Sequence, residues 1–372
     1  MVDMVLGILL AVSGFGYACV VLTLRSALKR VRSGTSDEQP FVSVIIAARN
    51  EGASIESCLN AIRAQDYPED LFEVIVADDR SDDDTPEKLD ALAHAWNRLT
   101  VITIESHPPG LSPKKHALTR AIERARGDIV LQTDADCIVP PAWIAGMVRR
   151  FEPGVNMVAG VAPYVRHHGF LAGFIAHEYL WNVLLGAGSI ARGLGTHASA
   201  RNLGFRRAAF RRMNGYGDSA GILSGDDTLL MQRFQRADKT AVVTNPDAAT
   251  QVFSEPPSTF GAFIRQRIRH MSTGRYFHPF QVIVGLLVYG FHILILLSIV
   301  LACFAAVYFP LFILLFLLKL SADMLAFRAV SRVFSLEVAW RSFVRNEFLL
   351  AVYLAVLPVL GTFLPVRWKE KN

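Results

Sequence analysis

Residues 41–51 read FVSVIIAARNE, and this stretch decides the fold. A run of apolar, largely β-branched residues gives way at once to small and polar ones, which predicts a strand buried on both faces that ends in a loop. The pattern returns at 72–78 (FEVIVAD), 99–104 (LTVITI), 128–134 (DIVLQTD) and 156–162 (NMVAGVA). Helical patterns fill the intervals at 54–65, 85–96, 113–126 and 141–151. Strand and helix in alternation predict an α/β fold with a largely parallel sheet. Ligands of such sheets bind beyond the carboxyl ends of the strands, so chemistry is expected in the loops there.

Working outward, the chain is too apolar to be wholly water-soluble. Of its 372 residues 52% are hydrophobic and 19% charged, against roughly 25% charged in an ordinary soluble domain. Disorder is excluded, and part of the chain is expected in lipid. Residues 2–24 form an apolar run of spanning length, followed by Arg25, Lys29, Arg30 and Arg32. A cleaved signal peptide carries its positive charge before the apolar core, so the reversed order reads as a retained anchor over 1–24 with the arginines cytoplasmic. Residues 25–40 read as a basic linker, 41–255 as the α/β domain, and 256–278 as an amphipathic interfacial segment containing FGAFIRQRIRHMSTGRYF. A membrane region follows over 279–372, with apolar blocks at 282–307 and 311–327, divided at Pro310, and at 348–366. Arg328, Arg332, Arg341 and Arg345 suggest a cytoplasmic connection. A full crossing by the last block would put Arg367, Lys369 and Lys371 outside, against the positive-inside tendency, so that block reads as re-entrant or interfacial. The net charge of 38 − 33 = +5 suits an anionic membrane face better than nucleic acid. Cys19, Cys58, Cys137 and Cys303 stand far apart with no zinc spacing, and read as buried thiols in a reducing compartment.

Several motifs sit at the predicted strand ends. Ala47-Ala48-Arg49-Asn50-Glu51-Gly52 could offer backbone N–H groups and a carboxylate to a nucleotide, or be a turn with Asn50 as a cap. Asp78 and Asp79 repel one another unless a donor or cation is present, whereas the portion from Asp82 to Thr85 reads as helix capping. Asp134-Ala135-Asp136 places two carboxylates at a strand end, where alternation would set both on one side to hold Mg²⁺ or Mn²⁺ with substrate phosphates. Lys114 could reach a diphosphate as a point charge. In Gly225-Asp226-Asp227 either aspartate suits a helix start, Asp226 alone would suffice as a cap, and Asp227 is then a candidate general base. Gln266 and Arg269 are three apart on the amphipathic segment, where an arginine could stabilise a diphosphate leaving group or lipid headgroups. Phe170, Phe174, Trp181 and Leu185 share a helical face that reads either as a membrane-surface face or as core.

The ordered series VSVIIAARNE, ADDRSDDDT, PKKHAL, DAD, GDDTLL and QRIRH is similar to the membrane-bound family 2 glycosyltransferases over about 41–275. Relatives in that family include cellulose, chitin and hyaluronan synthases and ceramide and hopanoid glucosyltransferases. The resemblance implies a GT-A fold and inverting transfer from a nucleotide-sugar, usually a UDP-sugar. With the apolar runs, one N-terminal and two to three C-terminal transmembrane helices are expected. The resemblance implies that Ala48, Glu51, Asp79, Lys114 and Asp134 bind the nucleotide-sugar. Asp134 and Asp136 would hold Mg²⁺ or Mn²⁺, with Asp136 the better ligand. It further implies that Asp227 is the catalytic base and that Gln266 and Arg269 match the QxxRW motif beside the diphosphate.

Two departures bear on the acceptor. Gly225-Asp226 replaces Thr-Glu before the base, and His270 replaces the motif's tryptophan, which puts Asp226 and His270 at the acceptor or gating end. The smaller platform and the few membrane helices favour transfer to a lipid or lipid-linked acceptor at a bacterial-type cytoplasmic membrane, within the cell envelope and with the catalytic domain cytoplasmic. The rivals are a processive polysaccharide synthase, a non-catalytic membrane scaffold, and a transporter built on Lys319 and Asp323, which lie four apart and could instead pair with each other. Donor sugar, product length and any protein partner are not encoded in these motifs.

Overall fold

After an N-terminal helix, α1 (Val2–Ala27), the chain builds a sheet from the apolar runs that the sequence marks out. A computed structural model describes residues 2–363. β1 (Val42–Ala48) pairs in parallel with β2 (Phe72–Asp78) on one side and β4 (Ile129–Gln132) on the other, and β2 pairs in parallel with β3 (Leu99–Thr103). Between them lie α2 (Ile55–Arg63), α3 (Thr85–Ala95) and α4 (Pro113–Arg124). The chain continues through β5 (Cys137–Ile138), α5 (Trp143–Val148), β6 (Met157–Ala159), α6 (Phe170–Ile190), β7 (Leu203–Arg206) and α7 (Arg207–Arg212). It then forms α8 (Thr228–Ala237), β8 (Val242–Thr244) and β9 (Phe253–Ser254).

The main sheet has the order β3-β2-β1-β4-β7-β6-β8, and β5 pairs with β9 in a separate ribbon. The run at 156–162 does form a strand, but it is not the neighbour of β4. β7 lies between them, antiparallel to both. Its four residues, LGFR, are too short and too mixed to show a strand period in sequence.

Both faces of β1 are covered, which is why it is apolar without alternation. Val44 and Ile46 pack with Leu59 and Ile62 of α2 and Trp143 and Met147 of α5. Ile45 packs with Leu118 and Ile122 of α4 and Leu230 and Phe234 of α8. Each such side chain contributes about 1.5–3 kcal/mol by leaving water.

The chain divides into two compact units. The α/β unit comprises Arg30–Val165 and Ile190–Pro256, while the other gathers the N-terminal helix, Arg166–Ser189 and the helices after Pro257. The stretch read as a linker is partly helical, since α1 runs to Ala27, and from Arg30 it is strapped to the α/β unit. Arg32 grips Glu152 with two bonds of 2.7 and 2.6 Å, and the Thr35 hydroxyl donates to the same carboxylate at 2.9 Å. The Ser36 N–H donates to Arg149 O at 3.1 Å. Gly34 lies so near that a Cβ there would sit 2.3 Å from the Arg149 backbone. A run of Gly, Ser and Thr looks flexible in sequence, but the partner carboxylate on a distant element fixes it.

In the helical unit come α9 (Phe260–Met271), α10 (Pro279–Phe304), α11 (Phe309–Phe334) and α12 (Phe343–Phe363). Leu10–Arg30, Phe170–Ile190, Pro279–Phe304 and Ala306–Phe334 are long and apolar enough to cross a membrane. The expected N-terminal and C-terminal helices are there, and α6 is a further candidate. On α6, Phe174 and Trp181 are buried and Phe170 is exposed, so the predicted face is mostly interior. Pro310 stands in the first turn of α11, where its missing N–H costs nothing. The end of the block at 348–366, with Arg367, Lys369 and Lys371, lies outside the described residues.

Charges are buried in this unit. Lys319 bonds Asp323 at 2.7 Å and also pairs with Glu347, whose carboxylate accepts from His177 Nε2 at 2.8 Å. The Tyr17 hydroxyl donates to Asp323 at 2.7 Å. The pair that suggested a transporter is thus part of a network joining α1, α6, α11 and α12. All four cysteines are free, and only Cys58 and Cys137 are buried, so the expectation of four buried thiols is corrected at Cys19 and Cys303. Those two lie on apolar helices, where a thiol is a small hydrophobe.

Candidate active site

The carboxyl ends of β1 and β2 emerge side by side, with Ala48 opposite Asp78. Both chains then turn through left-handed backbone, Asn50 at φ +54° and Arg80 at φ +56°. Non-glycine residues hold this conformation only where neighbours over-determine it. Here Asn50 Nδ2 donates to Asp82 at 2.7 Å, and the Asp82 N–H donates back to Asn50 Oδ1 at 2.9 Å. Asn50 therefore ties two strand-end loops together and is not a helix cap. The capping expected over Asp82 to Thr85 rests with Asp83, which accepts from the Thr85 N–H at 3.0 Å.

Asp78 and Asp79 both find donors. Asp78 accepts from the Ser81 hydroxyl at 2.5 Å, and Asp79, only 4% exposed, accepts from Arg80 Nε at 2.8 Å. Ala48, opposite Asp78 across the strands, is buried and belongs to the core. The Glu51 N–H donates to the Thr85 hydroxyl at 2.9 Å, and its carboxylate accepts from Ser54 at 3.3 Å.

Lys114 occupies the first turn of α4, where the positive end of the helix disfavours a cation unless anions meet it. Two do: its ammonium lies 2.8 Å from Asp134 and 2.9 Å from Asp226. Burial opposes the charge, but Asp134 and then Asp226 outweigh it and hold the lysine well above its ordinary range. The motif after β4 is therefore not an extended strand with both carboxylates on one side. β4 ends at Gln132 and Ala135-Asp136 form a turn, so Asp134 faces Lys114 while Asp136 is exposed. Asp136 accepts a weak S–H bond from Cys137, at 3.5 Å.

Gly225, at φ +79°, turns the chain where a side chain would be strained, and brings Asp226 and Asp227 to the start of α8. Asp227, not Asp226, is the cap. Its carboxylate accepts from the Thr228 N–H and, at 3.1 Å, from the Ala200 N–H. Burial, with Asp226 beside it, lifts Asp227 to about 6. Asp226 moves the other way: burial would raise it, but the Lys114 charge and bond hold it below the usual carboxylate value. Of two adjacent carboxylates one is thus fixed as an anion and the other left basic enough to take a proton near neutrality.

Sequence reasoning missed Lys115. It is 2% exposed and donates to Ser219 O at 2.7 Å and Ser224 O at 3.0 Å, pinning the loop that carries Asp226. Its doubled lysine in PKKHAL was the available signal. Gln132 was also missed; its amide donates to Asp226 at 3.3 Å. Gln266, Arg269 and His270 fall on α9 in the helical unit, Gln266 and Arg269 half-buried and His270 exposed. The α/β unit thus brings together Lys114, Asp134, Asp226 and their neighbours.

Among the described residues no group of three or more His, Cys, Asp or Glu is placed to hold a metal ion. An exposed aspartate next to a second carboxylate does fit a hard cation whose remaining ligands are phosphate oxygens and water.

A model of glycosyl transferase family 2 matches residues 43–213, and one of glycosyl transferase family group 2 matches residues 129–322. Glycosyltransferase AglE of Haloferax volcanii is 34% identical over 131 residues, which is 35% of this chain and 42% of that protein. Beta-monoglucosyldiacylglycerol synthase of Trichormus variabilis is 33% identical over 113 residues, 30% of this chain and 24% of that one. The match thus spans less than half the length of either relative. The structure of mannosyltransferase PcManGT of Pyrobaculum calidifontis, in complex with GDP-Man and Mn²⁺, superposes with a TM-score of 0.60 at 20% identity. The superposition covers 96% of this chain and 98% of that one, and the fold is the same GT-A fold.

Proposed function

Because the chain belongs to glycosyltransferase family 2, we propose that it moves a sugar from a nucleotide-sugar, first of all a UDP-sugar, to a lipid or lipid-linked acceptor at the cytoplasmic membrane face, with inversion. The observation that carries this reading is the division of labour between Asp226, held anionic by Lys114, and Asp227, lifted to about 6. The printed name of the glucosyldiacylglycerol enzyme supports a lipid acceptor. The arginines and lysine after α1 support a cytoplasmic catalytic unit.

In the reaction the Asp227 carboxylate takes the proton of the acceptor hydroxyl. The acceptor oxygen bonds to the anomeric carbon as the bond from that carbon to the diphosphate oxygen breaks. Ala48, Glu51 and Asp79 line the nucleotide, and Asp79 is kept in place by Arg80. Asp136, with Asp134, would hold a divalent cation, which when bound neutralises diphosphate charge. Lys114 fixes the distance between Asp134 and Asp226, and Gln266 and Arg269 are assigned to the leaving diphosphate. Asp226 and His270 are assigned to the acceptor end.

The test is nucleoside diphosphate release by the full chain in detergent from UDP-glucose, UDP-N-acetylglucosamine or GDP-mannose, with Mg²⁺ or Mn²⁺ and with or without membrane lipid extract. Release that needs lipid and gives a small extractable product supports the reading. Release without lipid that builds a high-mass polymer replaces it with the processive one.

A further inference from the structure

The helical unit does not neutralise its own charge. Its segments carry 15 Lys and Arg against 6 Asp and Glu. Most of those acids are already taken: Asp323 and Glu347 by Lys319, Glu178 by Arg267, and Glu337 by Arg166. Part of the surplus is concentrated where α11 hands over to α12. Arg328 and Arg332 stand one turn apart near the end of α11, Arg341 lies in the turn Trp340–Ser342, and Arg345 is in the first turn of α12. Arg25, near the end of α1, joins them by donating from Nε to Leu325 O at 3.2 Å. Among the described residues no carboxylate pairs with any of these five arginines.

Their depth follows from the helix rise. About 20 residues cross the hydrocarbon core, so counting from Phe309 the core ends near Arg328, and Arg332 lies one turn beyond it. The guanidinium of Arg328 sits 5.4 Å over the Trp340 ring, and that of Arg345 sits 5.1 Å over the Phe170 ring at the start of α6. Trp340 is 45% exposed, and an exposed indole is at home at the headgroup level.

This arrangement is costly unless an anion meets it. Like charges one turn apart on a helix repel, and the first turn of α12 disfavours a cation at Arg345. The rings cover only the faces of two guanidiniums, whose N–H edges still need acceptors. Arg345 gives Nε and one terminal nitrogen to Asn346 Oδ1, at 3.2 and 3.1 Å, while Arg328 gives no N–H to any described residue. Lysine would orient a membrane span equally well. All five are instead arginine, whose planar, weakly hydrated fork matches a pair of phosphate oxygens.

We propose that the connection between α11 and α12 is a binding site for the headgroup phosphates of anionic phospholipids, formed by Arg328, Arg341 and Arg345 with Arg25 and Arg332 at its rim. The occupant is the bilayer, because the arginines stand at the depth of headgroup phosphates and an exposed indole stands with them. The inference is independent of the reaction proposed above.

The test titrates the full chain in a neutral maltoside detergent with phosphatidylglycerol, phosphatidylcholine or glycerol phosphate, and measures bound lipid and the thermal midpoint. Phosphatidylglycerol is expected to bind saturably and raise the midpoint, and the other two to do neither. Arg328→Gln/Arg341→Gln/Arg345→Gln should weaken that binding about a hundredfold, each arginine near an anionic surface being worth roughly fivefold. Arg328→Lys/Arg341→Lys/Arg345→Lys keeps the charge and loses the fork, so an intermediate loss is expected. If the glutamine variant does not fold, the lysine variant decides. Equal binding of phosphatidylcholine overturns the proposal, as does wild-type affinity in either triple variant. An equal effect of glycerol phosphate makes the occupant a soluble phosphate and overturns the lipid assignment. A loss just as large in Arg265→Gln/Arg275→Gln would mean that any basic pair serves, which also overturns the site.

Discussion

Lys114 and Asp226 meet at 2.9 Å, one from the first turn of α4 and the other from the loop before α8, and the same ammonium holds Asp134 at 2.8 Å. One cation therefore joins Asp134, proposed here for the metal, to the neighbour of Asp227, the proposed base. Lys114→Met leaves two partly buried carboxylates facing each other, and the expected loss is about 3 kcal/mol of stability together with sugar transfer. Lys114→Arg keeps the charge and should keep the fold. Thermal unfolding and diphosphate release in detergent check both, and a methionine variant with wild-type behaviour would remove the lysine from the site.

Asp227 must be ionised to accept a proton. Its carboxyl is raised to about 6, so the base is present above that pH and is lost below it. The rate is expected to fall about tenfold per pH unit below 6. Asp227→Asn should still bind nucleoside diphosphate, measured by calorimetry, while transfer drops about 10²- to 10⁴-fold and its acid limb disappears.

A chelator should abolish transfer, and added Mg²⁺ or Mn²⁺ should restore it. Asp136→Asn is expected to raise the cation concentration needed for half-maximal rate by about tenfold or more, the loss of one charged ligand being worth at least about 1.4 kcal/mol. Activity that ignores both the chelator and this substitution would argue for a metal-free site.

Much of this arrangement could be read in advance because it lies in local pattern. The five apolar runs are continuous, and the motif residues follow them directly. β7 and β8 could not be read, because three or four residues carry no period, and their places come from pairing partners far along the chain. The alternation argument failed at Asp134 and Asp136 for a related reason: where a strand stops is set by the turn at Ala135-Asp136, not by its apolar run. Likewise nothing in the spacing of Lys114, Asp134 and Asp226 says that they meet.

The strap over 30–36 makes a separate prediction. Glu152 is held at about 2 chiefly by the Arg32 bond, with Thr35 and Arg150 adding to it against burial. A depressed carboxyl stabilises fully above its ordinary value of 4.5 and loses that contribution as pH falls toward 2. Amide exchange at Thr35 and Ser36, corrected for the intrinsic rate, should show protection at pH 7 that is lost across that window. Glu152→Gln should lose it at pH 7.

In the helical unit, Lys319→Met strands Asp323 and Glu347 in a buried site and should prevent stable folding or cost about 3–5 kcal/mol. Replacing all three by Met, Leu and Leu should recover most of that loss, as measured by thermal unfolding in detergent, because the unpaired charges are gone. A triple variant no more stable than the single one would mean that the cluster does more than match its own charges.

The α/β unit is left after Val165 and re-entered at Ile190, and β7, which parts β4 from β6, comes only after the return. No uninterrupted length of gene encodes that unit. A fragment stopped at Val165 would carry two strands without the neighbour they share, and one started at Ile190 would carry the neighbour without the strands. During synthesis the sheet cannot close until the ribosome has passed the apolar helix in between. Sequences of this kind are thus inherited whole, and the unit is not a cassette that recombination or cloning can lift out.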